Sequence, residues 1–396
     1  MQAFEDRQLW FVGIGGAGMS ALAVVTRRWG AKVAGWDRHD TPYLDQLDGV
    51  DIEISPSPPA TPKGWEPIVS TAYAGLVSGQ SRGELLAELV SLRRSIVVAG
   101  AHGKTTTAAM IAFCLHELGL DPAFLIGGSV PQLGSNARAG EGWLVAEGDE
   151  SDRSLELLRP EVGVLTNVDL DHHSTFTSRR EVEELFARWL DGCRWAVRGD
   201  ALEPVSFELA VAGDHNRRNA AAALAALELA GVDSAEAAGV LARFRGAGRR
   251  LERRGTAGGV TVYDDYAHHP TEVEAAVAAT RELHPAARVL VLFQPHLYSR
   301  TRYLAEELGA ALSRADAVCL TEIYAAREEP VPGVTGKLVV NALACRRPGM
   351  WIGWSPELED AGLMVARLAR DGDVAVTMGA GNVDEAASVI LIELGG

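Results

Sequence analysis

The stretch "VVAGAHGKTTTA", Val97 to Ala108, holds the residue types that a triphosphate cradle needs. Gly100 and Gly103 free backbone N–H groups, Lys104 can reach the β- and γ-phosphates, and the Thr105 hydroxyl suits Mg²⁺. The general spacing G-x-x-x-x-G-K-[ST] asks for a glycine where Val98 stands. Pattern alone therefore leaves a phosphate loop and a chance Gly-Lys pair both open. Lysine occurs only at Lys32, Lys63, Lys104 and Lys337, which narrows the choice of a catalytic amine.

A second glycine loop, "FVGIGGAGMSALA", holds Gly13, Gly15 and Gly18 as G-x-G-x-x-G, and Asp37 ends the following apolar run. After a strand and before a helix, this spacing lets a backbone approach a pyrophosphate while an acid accepts a ribose hydroxyl. It does not separate a nicotinamide dinucleotide from a UDP-sugar. Acidic residues follow two later strands: Glu147, Asp149, Glu150 and Asp152 in "LVAEGDESD", and Asp169, Asp171, His172 and His173 in "LTNVDLDHH". Beside a phosphate loop they suggest oxygen ligands for Mg²⁺; separately, each is equally well a solvated turn. "VYDDYAHHPTEV" adds Asp264, Asp265, His268 and His269, and "LFQPHLYSRTR" adds His296, Arg300 and Arg302 at a helix start, where arginines suit a carboxylate or phosphate.

These residues lie where elements join. Short apolar runs such as "SIVVAG", "WLVAEG", "VTVYDD" and "RVLVLFQ" alternate with helical patterns at 17–29, 104–118, 216–230, 271–283, 301–313 and 356–370. The alternation predicts α/β architecture, a mostly parallel sheet covered on both faces, with ligands at the carboxyl ends of strands. The proline-rich 54–67 reads as a loop, and breaks are expected near 92–95 and 245–250. The chain of 396 residues is 47% hydrophobic and 23% charged, enough for two or three cores. A net charge of −16 argues against a nucleic-acid partner. Neither a membrane span nor a secretory leader is expected, and four dispersed cysteines fit reduced thiols in a cytoplasmic protein.

In order, "GIGGAGMS", "GAHGKTTT", "AEGDESD", "TNVDLDHH", "GDHNRRNAAAA", "GAGRRLE", "DDYAHHPTEV", "FQPHLYSRTR" and "MGAGNV" resemble the Mur ligases almost end to end. The shortened loop without the first glycine is part of that resemblance. It implies three domains: a Rossmann-like 1–93 for a UDP-sugar, a P-loop-type 94–246 for ATP, and a Rossmann-like 247–396 for an amino acid. The alanine-adding branch is most similar, which implies UDP-N-acetylmuramate, L-alanine, ATP and Mg²⁺, and a monomer or weak homodimer. By the same resemblance, Gly13, Gly15, Gly18, Ser20, Asp37, Ser70 and Thr71 would bind the uridine diphosphate. Gly100, Gly103, Lys104, Thr105 and Thr106 would hold the ATP phosphates, and Thr105, Glu150 (or Glu147) and His172 the metal. His215, Asn216 and Asn219 would contact adenine, Arg250 (or Arg249) the γ-phosphate, and Asp264 or Asp265 the ribose. His268, His296, Arg300 and Arg302 would line the amino-acid side. The chain departs in four places: a short stretch between His172 and His215, another after "VSTAY", Ser174 and Phe176 near the metal residues, and Leu297 where an arginine is common. Residues 174–336 contain no lysine, so no carbamylated lysine can hold a second metal there.

Overall fold

The computed structural model describes residues 3–172, 175–326 and 328–396. Its strands form three sheets, each with the apolar runs at its centre. The first has the order β3-β2-β1-β4-β5 and is parallel throughout: β1 (Gln8–Val12), β2 (Lys32–Asp37), β3 (Asp51–Ile54), β4 (Glu66–Val69) and β5 (Gln80–Ser81). Helices α1 (Ala17–Arg28) and α2 (Arg82–Leu92) belong to this part of the chain. Residues 55–65 of the proline-rich segment form a loop, while Ile54 ends β3 and Glu66 and Pro67 begin β4.

The second sheet contains β6 (Ser95–Ala99), β7 (Ala123–Val130), β8 (Ser135–Arg138), β9 (Leu144–Glu147), β10 (Val162–Leu165) and β11 (Trp195–Arg198), ordered β11-β10-β6-β9-β7-β8. Only the β7–β8 pair is antiparallel. β6 is buried at every position, as a central parallel strand with both faces covered must be. Its helices are α3 (Lys104–Glu117), α4 (Arg179–Asp191), α5 (Asp214–Leu229) and α6 (Ser234–Leu241). β11 is an edge strand, and the short stretch after it carries one 3₁₀ turn, Gly199–Ala201, before α5 begins.

The third sheet runs β12-β13-β17-β14-β15-β16, from β12 (Glu252–Ala257), β13 (Val260–Asp265), β14 (Val289–Phe293), β15 (Ala317–Leu320), β16 (Trp351–Trp354) and β17 (Val374–Met378). β12 is antiparallel to β13 and the rest are parallel. Helices α7 (Pro270–Leu283), α8 (Tyr298–Leu312), α9 (Lys337–Arg346), α10 (Leu358–Leu368) and α11 (Glu385–Gly395) connect these strands. Apolar residues fill both faces of the sheet, with Val291, Phe293 and Val376 on one and Leu290, Leu292 and Ala375 on the other.

The chain divides into two compact units. One holds the first two sheets, as residues 1–170, 177–210 and 218–247; the other holds the third sheet with 171–176, 211–217 and 248–396. No helix among the described residues is long and apolar enough to cross a membrane.

Candidate functional site

The functional residues of the first unit lie on two loops that follow parallel strands. In the first loop, the Gly15 amide donates to Asp37 Oδ2 at 2.7 Å, and Oδ1 accepts from the amides of Arg38 and His39. Asp37 is buried, so this structure commits both of its oxygens to shaping the loop. Ser70 caps a 3₁₀ turn after β4, and the neighbouring Thr71 hydroxyl donates to Asp152 Oδ2 at 3.0 Å. Ser20 is placed differently from the expectation. It is fully buried; its hydroxyl donates to the Ala17 carbonyl and accepts from Gln46, so it stabilises α1 rather than facing a ligand.

The second loop joins β6 to α3. Gly100 adopts φ +130°, and a Cβ there would stand 2.2 Å from Thr166 Oγ1. Gly103 adopts φ +79°, and a Cβ would meet the Asn219 side chain at 2.4 Å. Both glycines are thus required by backbone conformation and by close approach. Lys104 begins α3. Its Nζ donates to the Gly100 carbonyl at 2.6 Å and to both oxygens of Glu150, at 3.0 and 3.1 Å. Burial works against the ammonium charge, but Glu150 and then Asp149 outweigh it and hold Lys104 above its ordinary value. A helix N-terminus, free amides and a fixed cation together make an anion site.

Thr105 Oγ1 donates to Glu147 Oε2 at 3.1 Å. A hydroxyl beside a carboxylate is a hard oxygen donor set of the kind Mg²⁺ selects, so these residues fit that ion. Of the expected set of Thr105, Glu150 (or Glu147) and His172, the Thr105 hydroxyl meets the alternative acid. Thr105 pairs with Glu147, Glu150 pairs with Lys104, and His172 belongs to the second unit. Asn219 is buried against the phosphate loop at Gly103, which gives it a loop-supporting place instead of an open adenine contact.

In the second unit, Arg300 and Asp171 form a buried two-pronged pair, with Nε–Oδ1 at 3.0 Å and Nη2–Oδ2 at 2.9 Å. Burial raises the Asp171 carboxyl, but Arg300 and then His172 overcome this and hold it well below the usual carboxylate range. Arg300 Nη1 also donates to His296 Nδ1 at 2.9 Å. The His268 ring lies 5.7 Å from that of His296, with Nδ1 at 2.9 Å from the Tyr266 carbonyl. Burial pushes His268 down to about 4, so the neutral ring donates through Nδ1. His215 is likewise pushed down to about 4 by burial and then by Arg250. Arg250 pairs loosely with Glu272 at 3.8 Å and lies over the Tyr266 ring.

Three expectations for this unit are corrected. Arg302 is exposed and lies over the Tyr303 ring, because two positions along a helix turn a side chain to the opposite face from Arg300. Asp264 is fully buried, and its oxygens are taken by Arg249 at 2.8 Å and by the Thr377 hydroxyl at 2.6 Å, which leaves no open oxygen for a ribose. Asp265 likewise accepts from the amides of Leu251 and Ala267. Arg249 also donates to the carbonyls of Gly379 and Gly381, so Arg250 is the freer arginine of the pair. Asn216 bonds back to the Ala212 carbonyl at 2.6 Å. His173 and Ser174 lie outside the described residues.

Sequence reasoning missed Arg82, the first residue of α2, which donates to Asp149 Oδ2 at 3.2 Å. Its position after the two-residue β5 carries no motif; only the fold brings it to the acidic turn.

The chain matches three family models in order: the catalytic domain of the Mur ligase family over residues 8–94, the Mur ligase middle domain over 98–197, and the Mur ligase glutamate ligase domain over 249–381. It is 37% identical to a UDP-N-acetylmuramate–L-alanine ligase of Streptomyces coelicolor, over 97% of each chain, and 37% identical to that of Rubrobacter xylanophilus, over 97% of this chain and 99% of the relative. The first alignment spans 454 positions, more than the 396 residues here, so that relative carries segments this chain lacks. Among solved structures, the UDP-N-acetylmuramate–alanine ligase of Thermotoga maritima superposes with a TM-score of 0.79 at 24% identity, over 97% of this chain and 98% of that one. A murein peptide ligase of Psychrobacter arcticus gives 0.67 at 22%, over 98% and 99%.

Proposed function

The chain belongs to the Mur ligase family, and we propose that it joins L-alanine to the carboxylate of UDP-N-acetylmuramate at the expense of ATP, a step in peptidoglycan precursor synthesis. The observation that carries this reading is the loop at Gly100–Thr105, where an ammonium and a hydroxyl stand at a helix N-terminus, each against its own carboxylate. A carboxylate is a poor acyl donor. In this reading the γ-phosphoryl of ATP passes to a muramoyl carboxylate oxygen, giving an acyl phosphate and ADP. The alanine amine then attacks the carbonyl carbon, the C–O bond to phosphate breaks, and an amide and inorganic phosphate result, with one amine proton lost to solvent.

Lys104 exchanges Glu150 for the β- and γ-phosphates. Thr105 and Glu147, joined by Glu150 once Lys104 has left it, would hold Mg²⁺, which supplies charge neutralisation for the phosphates when bound. His215 and Arg250 take the nucleotide side in the second unit. His268, His296 and Arg300 take the amino-acid side, with Asp171 holding Arg300 in place. Residues 1–93 would bind the UDP-sugar, 94–246 ATP and 247–396 the amino acid, in the cytoplasm.

Phosphate release should be measured with UDP-N-acetylmuramate, ATP and a panel of L-alanine, L-serine, glycine and short peptides. The reading expects release that depends on all three substrates and is fastest with L-alanine. No release with any acceptor would overturn it, and release with a peptide alone would move the assignment to a peptide-adding branch.

A further inference from the structure

The first glycine loop has no cation of its own: no lysine or arginine occurs between Arg7 and Arg27. A diphosphate carries at least two negative charges, and backbone amides with one helix N-terminus neutralise only part of them. The fold brings Arg82 to this place. A Cβ at Gly18, the third glycine of the loop, would stand 3.5 Å from both Cδ and Nη1 of Arg82. On the other side of the guanidinium, Nη2 donates to Asp149 at 3.2 Å and lies 3.7 Å from Asp152. Asp152 is in turn fixed by the Thr71 hydroxyl, and Asp149 by the Ser151 amide. Nε and Nη1 make no hydrogen bond among the described residues, and the side chain is 18% exposed. An arginine held by one nitrogen, with its other donors open over a glycine-rich turn, is prepared for an anion there. Arg38 is the other basic residue nearby, but it is exposed and stacks over the Tyr73 ring at 5.9 Å.

We propose that Arg82 is the cation of the first glycine loop, contacting the diphosphate of the nucleotide-sugar through Nη1 while Asp149 and Asp152 hold Nη2. This inference rests on the reading of that loop as the UDP-sugar site and adds to it a residue sixty-odd positions away in the sequence. It also predicts which part of the ligand Arg82 senses, namely the phosphates and not the uridine.

The test is calorimetric titration of the full chain with UDP-N-acetylmuramate, UDP and uridine. Wild type should bind UDP more tightly than uridine. Arg82→Ala should lose about tenfold or more in affinity for UDP and for the nucleotide-sugar, the loss of one charged hydrogen bond, and leave uridine unchanged. Arg82→Lys should recover part of that loss, since it restores the charge without the fork. Unchanged UDP affinity in Arg82→Ala would overturn the proposal, and so would an equal loss for UDP and uridine, which would mark a structural role only. A wild-type chain that binds none of the three would sink the parent reading as well, so the two failures are distinct.

Discussion

Leu297 occupies φ +69° and ψ 136°, a region that side chains with a Cβ rarely adopt. Its amide donates to the Tyr324 carbonyl and its carbonyl accepts from Thr301, so hydrogen bonds hold the strained residue at the start of α8. Leu297→Gly should raise unfolding stability by about 1 kcal/mol, read as a higher denaturation midpoint at constant slope. A lower midpoint would show that the leucine side chain matters more than the backbone. Lys104→Ala should lower ADP affinity at least tenfold and abolish phosphate release, and the unpaired buried Glu150 should lower the unfolding midpoint. Unchanged ADP binding would remove the phosphate-loop assignment. The sequence made Lys104 and Thr105 legible because their spacing is local: one loop and one helix start place them both. It left the acid partners open, because Glu147 ends β9 and Glu150 lies three residues on in the turn, and only the path of that turn decides which faces Thr105. Asp264 was misread for a related reason. An acid at a strand end looks open in sequence, while Arg249 and Thr377, which cover it, come from other strands and loops.

The strands at the sheet centres could be read as continuous apolar runs because both of their faces are buried. β5, with two residues, and β8, with the sequence SNAR, carry no such run and emerge only from pairing with their neighbours. Helix α2 starts from β5 through a reciprocal cap. The Ser81 hydroxyl accepts from the Glu84 amide at 3.2 Å, and Glu84 Oε2 accepts from the Ser81 amide at 2.7 Å. The Ser81 amide, and then its side chain, hold the Glu84 carboxyl below its ordinary value. Because Arg82 is the next residue, this cap also fixes the start of the helix that presents the guanidinium. Ser81→Ala should cost about 1 kcal/mol of stability. It should also weaken UDP binding while leaving ADP binding unaltered, since the phosphate loop is on a different helix. Equal loss of both ligands would show general destabilisation instead of a local effect at α2.

At the scale of the whole molecule, the unit of the third sheet holds two histidines, His215 and His268, both pushed down to about 4 by burial, and two acids that burial raises, Asp265 to about 6 and Asp264 in the same direction. The two kinds act in opposite directions. A depressed histidine binds its proton in the unfolded chain first, so each histidine loses stability as pH falls from about 6.5 towards 4. A raised carboxyl binds its proton in the folded chain first, so Asp265 gains stability as pH falls from about 6 towards 3.8. Asp264 gains in the same sense as Asp265, but the histidines begin to titrate at the higher pH, so their loss comes first as the solution is acidified. Below that range, Asp171 adds to the loss, since its carboxyl is held low in the fold and must be protonated as the pH falls further. In the first unit the displaced acids Glu84, Asp121, Asp149, Glu161 and Glu181 are all held low and lose stability only as pH falls through the carboxylate range, so mild acid should unfold the second unit first. Seven of the nine tryptophans lie in the first unit, and only Trp351 and Trp354 in the second, so tryptophan emission reports mainly on the first while far-ultraviolet circular dichroism follows both. In urea at pH 7.5 the two signals should nearly coincide. At pH 4.5 the dichroism should begin to fall at a lower urea concentration than the emission, and His268→Asn should reduce the separation by removing one of the two titrating rings. Coincident transitions at both pH values would refute the assignment of acid sensitivity to the second unit.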